Sequence, residues 1–193
     1  TDPRSYYSVS KRLGSEIPGA WYVNQYDNPS NAKAHYKTTG PEIWRDTSGD
    51  VDAVLCGMGT GGTITGIGTY LKEMKGDVRI IGVEPVGSVF QKYNREGVLG
   101  EASAFDIEGI GKNFIPSVVD FDCIDDVLQV SEDDARRTVD ELVRREGLLV
   151  GESSAAVIAA ALAYAAGTKG RERIAAVLPD TGLKYLSRYT GAA

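Results

Sequence analysis

A single histidine and two widely separated cysteines leave this chain few routes to metal or thiol chemistry. One imidazole rules out a histidine-rich metal site, and no metal site is expected. A Ser-His-Asp triad is left only if His35 is its base, and no nucleophile-elbow motif accompanies that histidine. Cys56 and Cys123 each stand in a strand-like run and read as buried free thiols of a reducing, cytoplasmic compartment. Positive charge is not in excess. The formal net charge is −6, which disfavours nucleic acid and anionic membranes as partners. No apolar run approaches a bilayer span, and no secretory apolar region opens the sequence. Internal repeats and low-complexity stretches are lacking too.

What the 193 residues do contain is an ordinary globular mixture, 42% apolar and 25% charged, enough for one sizeable core or a large domain with part of another. Tyr6 to Ser15 predicts a helix stopped by Ile17-Pro18-Gly19. Trp21-Tyr22-Val23 predicts a short strand, and Gln25 to Lys37 a polar loop. Thr39 to Arg45 predicts a helix capped by Thr38 or Thr39, with Pro41 in its first turn. Val51 to Cys56, Val78 to Val83, Cys123 to Val130 and Arg173 to Leu178 predict strands. Thr63 to Met74, Ser131 to Glu146 and Ala155 to Ala166 predict helices, and a short helix follows Thr181-Gly182. Ser131-Glu132-Asp133-Asp134 supplies a cap and acids at the positive end of its helix dipole. Ser88 to Asp106 predicts a long irregular connection. This alternation predicts an α/β fold, a mostly parallel sheet with helices on both faces.

The most informative stretch is Val54-Leu55-Cys56-Gly57-Met58-Gly59-Thr60-Gly61-Gly62-Thr63-Ile64-Thr65-Gly66. It reads as a strand, a glycine-rich turn and the first turn of a helix. Glycine lets backbone amides approach an oxyanion, and the helix adds unpaired N–H groups and its positive end. Gly57-Met58-Gly59-Thr60-Gly61-Gly62 fits the dinucleotide pattern G-x-G-x-x-G, with Glu84 at the end of the next strand as a ribose partner. Gly59 to Thr63 instead suits one compact terminal phosphate, since two threonine hydroxyls join the amides. A tight turn with no ligand is the third possibility.

Three further segments bear chemistry. Glu146 to Ala156 is a glycine-flanked turn that feeds an apolar helix, where Ser153 or Ser154 could be a simple helix cap. Gly109-Ile110-Gly111 is a turn between irregular stretches. Asn24 to Asn31 is rich in amides that could serve their own turn or hold a small polar ligand.

Taken in order, these segments resemble the fold-type II pyridoxal-phosphate β-synthases, the cysteine synthases (O-acetylserine sulfhydrylases) and cystathionine β-synthases. The resemblance rests on Asn24 to Asn31 with Thr38 to Trp44, Gly59 to Gly66, Ile81 to Pro85, Glu108 to Gly111 with Phe114 to Pro116, Glu146 to Ala156, and Leu178 to Gly182 with Tyr185-Leu186. It runs from about Ser5 to Ser187. Gln25-Tyr26, Pro85 to Ser88 and Glu108 to Gly111 are more similar to the cystathionine β-synthase branch.

The resemblance implies a tryptophan synthase β-like fold, with residues 1–25 ending a smaller N-terminal domain and 26–193 forming the large cofactor-binding domain. It implies that Gly59, Thr60, Gly61, Gly62 and Thr63 hold the 5′-phosphate of pyridoxal phosphate and that Ser153 bonds the pyridine nitrogen. A hydroxyl there makes a weaker electron sink than a carboxylate would. Gln25, Tyr26 and Gly109 would face the substrate. The implied reaction is β-replacement on small amino-acid and thiol substrates, in a homodimer. Serine with homocysteine gives cystathionine, and O-acetylserine with sulfide gives cysteine. The family's Schiff-base lysine and its Ser/Thr-Gly-Asn carboxylate loop lie N-terminal to the phosphate loop, and no lysine here stands in a matching position. The expectation is therefore an incomplete record of a longer enzyme, inactive by itself. A non-catalytic binding module and a nicotinamide-dependent oxidoreductase are the readings from other classes. Glu152 departs from the small or apolar residue usual in the family and is expected to face solvent or cap its helix.

Overall fold

The computed structural model describes residues 2–186. Ser187 and the rest of the proposed large domain beyond Leu186 lie outside the described residues. Four parallel strands form the sheet: β1 (Ala53–Gly57), β2 (Arg79–Pro85), β3 (Asp126–Val130) and β4 (Ile174–Ala176), in the order β3-β2-β1-β4. Alternate residues of β1 point to opposite faces, as the two-residue period of a strand requires. Val54 and Cys56 join one buried cluster, with Ile64, Ile67 and Leu71 of α4 (Gly62–Met74) and Phe90 of α5 (Phe90–Glu96). Ala53 and Leu55 join the other, with Ala135 of α6 (Glu132–Glu146) and Ala156, Val157 and Ala160 of α7 (Glu152–Gly167). Both faces are covered, as a parallel sheet with crossover helices demands. Among the described residues no helix is long and apolar enough to cross a membrane.

Several elements follow the sequence reading. Helix α1 spans Tyr6–Glu16, α3 spans Thr39–Asp46, and Ser131 caps α6 by accepting from the Asp134 amide at 3.1 Å. Others correct it. Residues 21–23 form no strand and pair with none among the described residues, and Trp21 remains 77% exposed. The second half of the expected loop at 25–37 is helix α2 (Ser30–Lys37). Its start signal is Asn28-Pro29: the Asn28 Oδ1 accepts from the Ser30 amide at 3.0 Å. Thr38 takes the N-cap position of α3 but makes no side-chain capping bond. The Thr38 hydroxyl donates to the Ala34 carbonyl at 3.0 Å, and Thr39 Oγ1 lies 2.9 Å from His35 Nδ1. Cys123 belongs to a 3₁₀ turn, Phe121–Cys123, begun by Asp120, whose carboxylate accepts from the Asp122 amide at 3.0 Å.

The connection after Ser88 is not wholly irregular, because it contains α5, and a buried acid explains why. Glu84 is fully buried, and its carboxylate accepts from the Phe90 amide at 2.8 Å, the Gln91 amide at 2.9 Å and the Gln129 side chain at 3.0 Å. Two of those donors are the first amides of α5, so the charge also meets the positive end of that helix. Gly97, at φ +68°, ends it.

Burial pushes the Cys56 thiol up to about 12 and the Cys123 thiol up to about 11. Both therefore stay protonated at neutral pH, and a thiol-reactive disulfide reagent is expected to label them only on unfolding. Glu84→Ala orphans two backbone donors and is expected to lower stability by about 3 kcal/mol, read from the midpoint of urea denaturation. An unchanged midpoint would contradict the role given to Glu84.

Candidate active site

In a parallel sheet the carboxyl ends of the strands open the crevice where ligands bind. The chain leaves β1 there and turns through Met58, Gly59, Thr60 and Gly61 into α4. Gly61 sits at φ +83°, a conformation that side chains rarely adopt. A Cβ on Gly61 would stand 2.2 Å from the Val119 Cγ2, one on Gly59 2.3 Å from the Gly109 carbonyl oxygen, and one on Gly62 2.0 Å from the Asn31 Oδ1. The loop is thus wedged among three other segments.

Side chains tie it down. Asn31 Nδ2 donates to Thr60 Oγ1 at 3.0 Å and to the Gln25 carbonyl at 2.8 Å, joining the amide-rich turn to the glycine loop. Thr60 Oγ1 also accepts from the Gly62 amide at 3.3 Å. Thr63 Oγ1 lies 3.2 Å from His35 Nε2, whose other ring nitrogen meets Thr39. Burial lowers the pKa of His35, so the ring that steadies Thr63 is neutral.

The loop forms one wall of a cleft of about 630 Å³. Gln25, Tyr26, Gly59, Thr60, Gly61, Thr63, Gly109 and Ser153 all line it. Gly62 alone of the expected residues does not, because it is buried against Asn31. The volume suits a ligand of cofactor size. Glu84 is not in this lining, and its carboxylate is committed to α5, which removes the ribose partner and with it the dinucleotide reading.

Ser153 and Ser154 lie in the first turn of α7, but neither caps it, since Gly151 holds the cap position without a side-chain bond. Both serines turn to Asp180 instead. Ser153 Oγ donates to Asp180 Oδ1 at 3.4 Å and Ser154 Oγ donates to the same oxygen at 3.2 Å, while Tyr185 OH donates to Oδ2 at 2.7 Å. Asp180 has no role in the sequence reading; its signal was only a carboxylate beside a glycine turn. Glu152 does not face solvent. It is 4% exposed and lies 3.9 Å from Arg136 Nε, on the α6 side rather than in the cleft lining.

Three residues outside the sequence reading shape the other wall. Tyr6 OH and Tyr26 OH share a short hydrogen bond, and burial raises the pKa of both phenols, so each keeps its proton. Tyr7 stacks on Tyr6 with ring centroids 3.9 Å apart. Lys112 Nζ donates to Tyr7 OH at 3.2 Å and lies 5.8 Å and 5.4 Å from the Tyr7 and Tyr26 ring centroids. Among the described residues no group of three or more His, Cys, Asp or Glu side chains is placed to hold a metal.

The profile of the pyridoxal-phosphate dependent enzymes matches residues 1–180. The chain is 38% identical to cystathionine β-synthase of Apis mellifera over 97% of its length and 37% of that relative's. It is 40% identical to cystathionine β-synthase of Rattus norvegicus over 97% of its length and 33% of the relative's. Cysteine synthase of Buchnera aphidicola is 41% identical over 86% of this chain and 52% of that protein. Among solved structures, O-ureido-L-serine synthase superposes with a TM-score of 0.85 at 34% identity, covering 96% of this chain and 57% of that one. The chain therefore spans about a third to a half of the length of the curated relatives it matches. Its parallel sheet flanked by helices is that of fold-type II. With nearly the whole sequence under the family profile, the chain belongs to the pyridoxal-phosphate dependent enzymes, whose cofactor is pyridoxal 5′-phosphate.

Proposed function

We propose that this chain forms the cofactor-binding part of a pyridoxal-phosphate β-replacement enzyme that joins serine to homocysteine, giving cystathionine. The observation that carries the reading is the gathering of the glycine loop, Ser153, Gln25, Tyr26 and Gly109 around one cleft. The cysteine synthase reaction, O-acetylserine with sulfide, is the second reading, favoured by the 41% identity to a cysteine synthase. Residues 1–25 then end the smaller domain and residues 26–193 form the large one, in a cytoplasmic homodimer acting on small molecules.

The residues present fit the cofactor. Gly59, Gly61 and Gly62 let the loop lie flat against Gly109, Val119 and Asn31, where any Cβ would force it out of place. Amides of the first turn of α4 and the hydroxyls of Thr60 and Thr63 would hold the 5′-phosphate, and the helix dipole favours its charge. Ser153 would meet the pyridine nitrogen. When bound, the cofactor supplies an electron sink for charge developing on the substrate. The chain's own contribution is positioning. Asn31 sets the distance between the Gln25 turn and the phosphate cradle. Neutral His35 keeps the Thr63 hydroxyl in place. Asp180, 3.4 Å from the Ser153 hydroxyl, keeps that side chain turned to the cleft. Tyr26, protonated and braced by Tyr6, offers the substrate a fixed phenol edge.

Two outcomes test this. The intact protein is expected to show the visible absorption of the bound cofactor, and Gly61→Asp to weaken cofactor binding by roughly a hundredfold or more, since a side chain at that positive φ would strike Val119 and deform the loop whose amides hold the phosphate. A colourless intact protein that ignores added cofactor would refute the proposal. Ser153→Ala is expected to retain the cofactor and lose about tenfold in turnover, the cost of one hydrogen bond in a buried site. Loss of the cofactor itself in Ser153→Ala would contradict the role given to Ser153.

A further inference from the structure

Beside the cleft lies a second cavity of about 590 Å³, bounded by residues 102–105 and 109–113 and by Tyr6 and Tyr7. The two are neighbours through a common wall, because Tyr6, Gly109, Ile110 and Lys112 line both. Their charge differs. The cleft lining carries Glu108 and Asp180 besides two lysines, whereas among the described residues Lys112 is the sole charged one in the lining of the second cavity. Ser103 and Asn113 are among the polar groups near it.

Lys112 is held with unusual care for a lysine. Its amide donates to Ser88 Oγ at 2.9 Å, the Ser88 hydroxyl donates back to its carbonyl at 3.2 Å, and the Val89 amide donates to that carbonyl at 3.2 Å. The residue before it is latched to the glycine loop, since the Gly111 amide donates to the Met58 carbonyl at 2.8 Å. The side chain is pinned as well, by the Tyr7 hydroxyl and the faces of two rings. Cation–π contact and one phenol fix an ammonium in place but leave donors unused, for it carries three. Among the described residues Lys112 Nζ makes no ion pair with a carboxylate within 4.0 Å. A half-buried ammonium held on a cavity wall without an anion is set to receive one.

We infer that this cavity is the subsite for the second substrate and that Lys112 selects a thiol bearing a carboxylate. The inference rests on the β-replacement reading and sharpens it: a carboxylate-bearing thiol can bond Lys112 through its carboxylate while its sulfur reacts, whereas hydrosulfide has only the one atom for both. Lys112 is then a specificity residue for the acceptor, and homocysteine, not sulfide, is the class of acceptor that the wall fits.

The test compares mercaptopropionate with its neutral isostere mercaptopropanamide as acceptors for the intact holoenzyme. In parallel, titration calorimetry measures binding of methylthiobutanoate, which has the carboxylate but no reactive thiol. The wild type is expected to favour mercaptopropionate over the amide by about tenfold in kcat/KM. Lys112→Gln is expected to erase that preference and to weaken methylthiobutanoate by a similar factor, while Lys112→Arg keeps both. The bound cofactor's absorption reports that each variant is folded and loaded. An equal preference in the wild type and Lys112→Gln, or none in the wild type, overturns the subsite and leaves the reaction standing. Methylthiobutanoate binding that depends on Lys112, in a holoenzyme that consumes neither thiol, sustains the subsite and overturns the β-replacement reading.

Discussion

Two stretches of backbone meet at the carboxyl end of β1 with no room for a side chain between them: the Gly109 carbonyl lies where a Cβ of Gly59 would be. That approach sets the shape of everything around it. It brings the turn after residue 108 against the phosphate cradle, and the Gly111 amide, donating to the Met58 carbonyl at 2.8 Å, locks the two together. Asn31 makes the equivalent join on the other side, filling the space a Cβ of Gly62 would take while its amide holds Thr60 and the Gln25 turn. A core packed this closely moves as a unit rather than yielding locally. Gln25, Thr60 and Gly109, far apart in sequence, therefore share one cleft.

The charges around the cleft are arranged so that each performs one task. Glu84, fully buried, holds the start of α5 and takes no part in the lining. Glu152, equally buried, is directed to Arg136 on α6. Glu108 and Asp180 are acids of the cleft lining, and Asp180 is held there by hydroxyls, with Ser153, Ser154 and Tyr185 all donating to it. Ser153 is thereby positioned by its neighbour, with its hydroxyl free to rotate toward a ring nitrogen in the cleft. Opposite, Lys112 and three tyrosines make a wall of cation and phenols.

The features legible in the sequence are those whose cause is local. Alternation of apolar runs with helical periods marks β1, β2, α4 and α6, since the two periods are written residue by residue. The glycine loop is legible because Gly61 needs a positive φ and the loop adjoins a strand and a helix. Helix α2 was hidden because a polar composition masked the Asn28-Pro29 start signal. Helix α5 was hidden because Glu84, which organises its first turn, precedes it by six residues in an unrelated strand. Residues 21–23 have strand-like side chains, but no strand offers them an edge. Asp180, Tyr6, Tyr7 and Lys112 were illegible for a different reason. Their roles arise from contacts across 27 residues in one case and 105 in another, and no spacing rule encodes those.

The central claim is that the glycine loop and Ser153 hold the two ends of one pyridoxal phosphate. A crystal structure of the intact, cofactor-loaded protein tests it most directly. The account predicts phosphate oxygens within hydrogen-bond distance of backbone amides in residues 60–63, with the pyridine nitrogen beside the Ser153 hydroxyl. A phosphate bound elsewhere, or a ring turned away from Ser153, would contradict it.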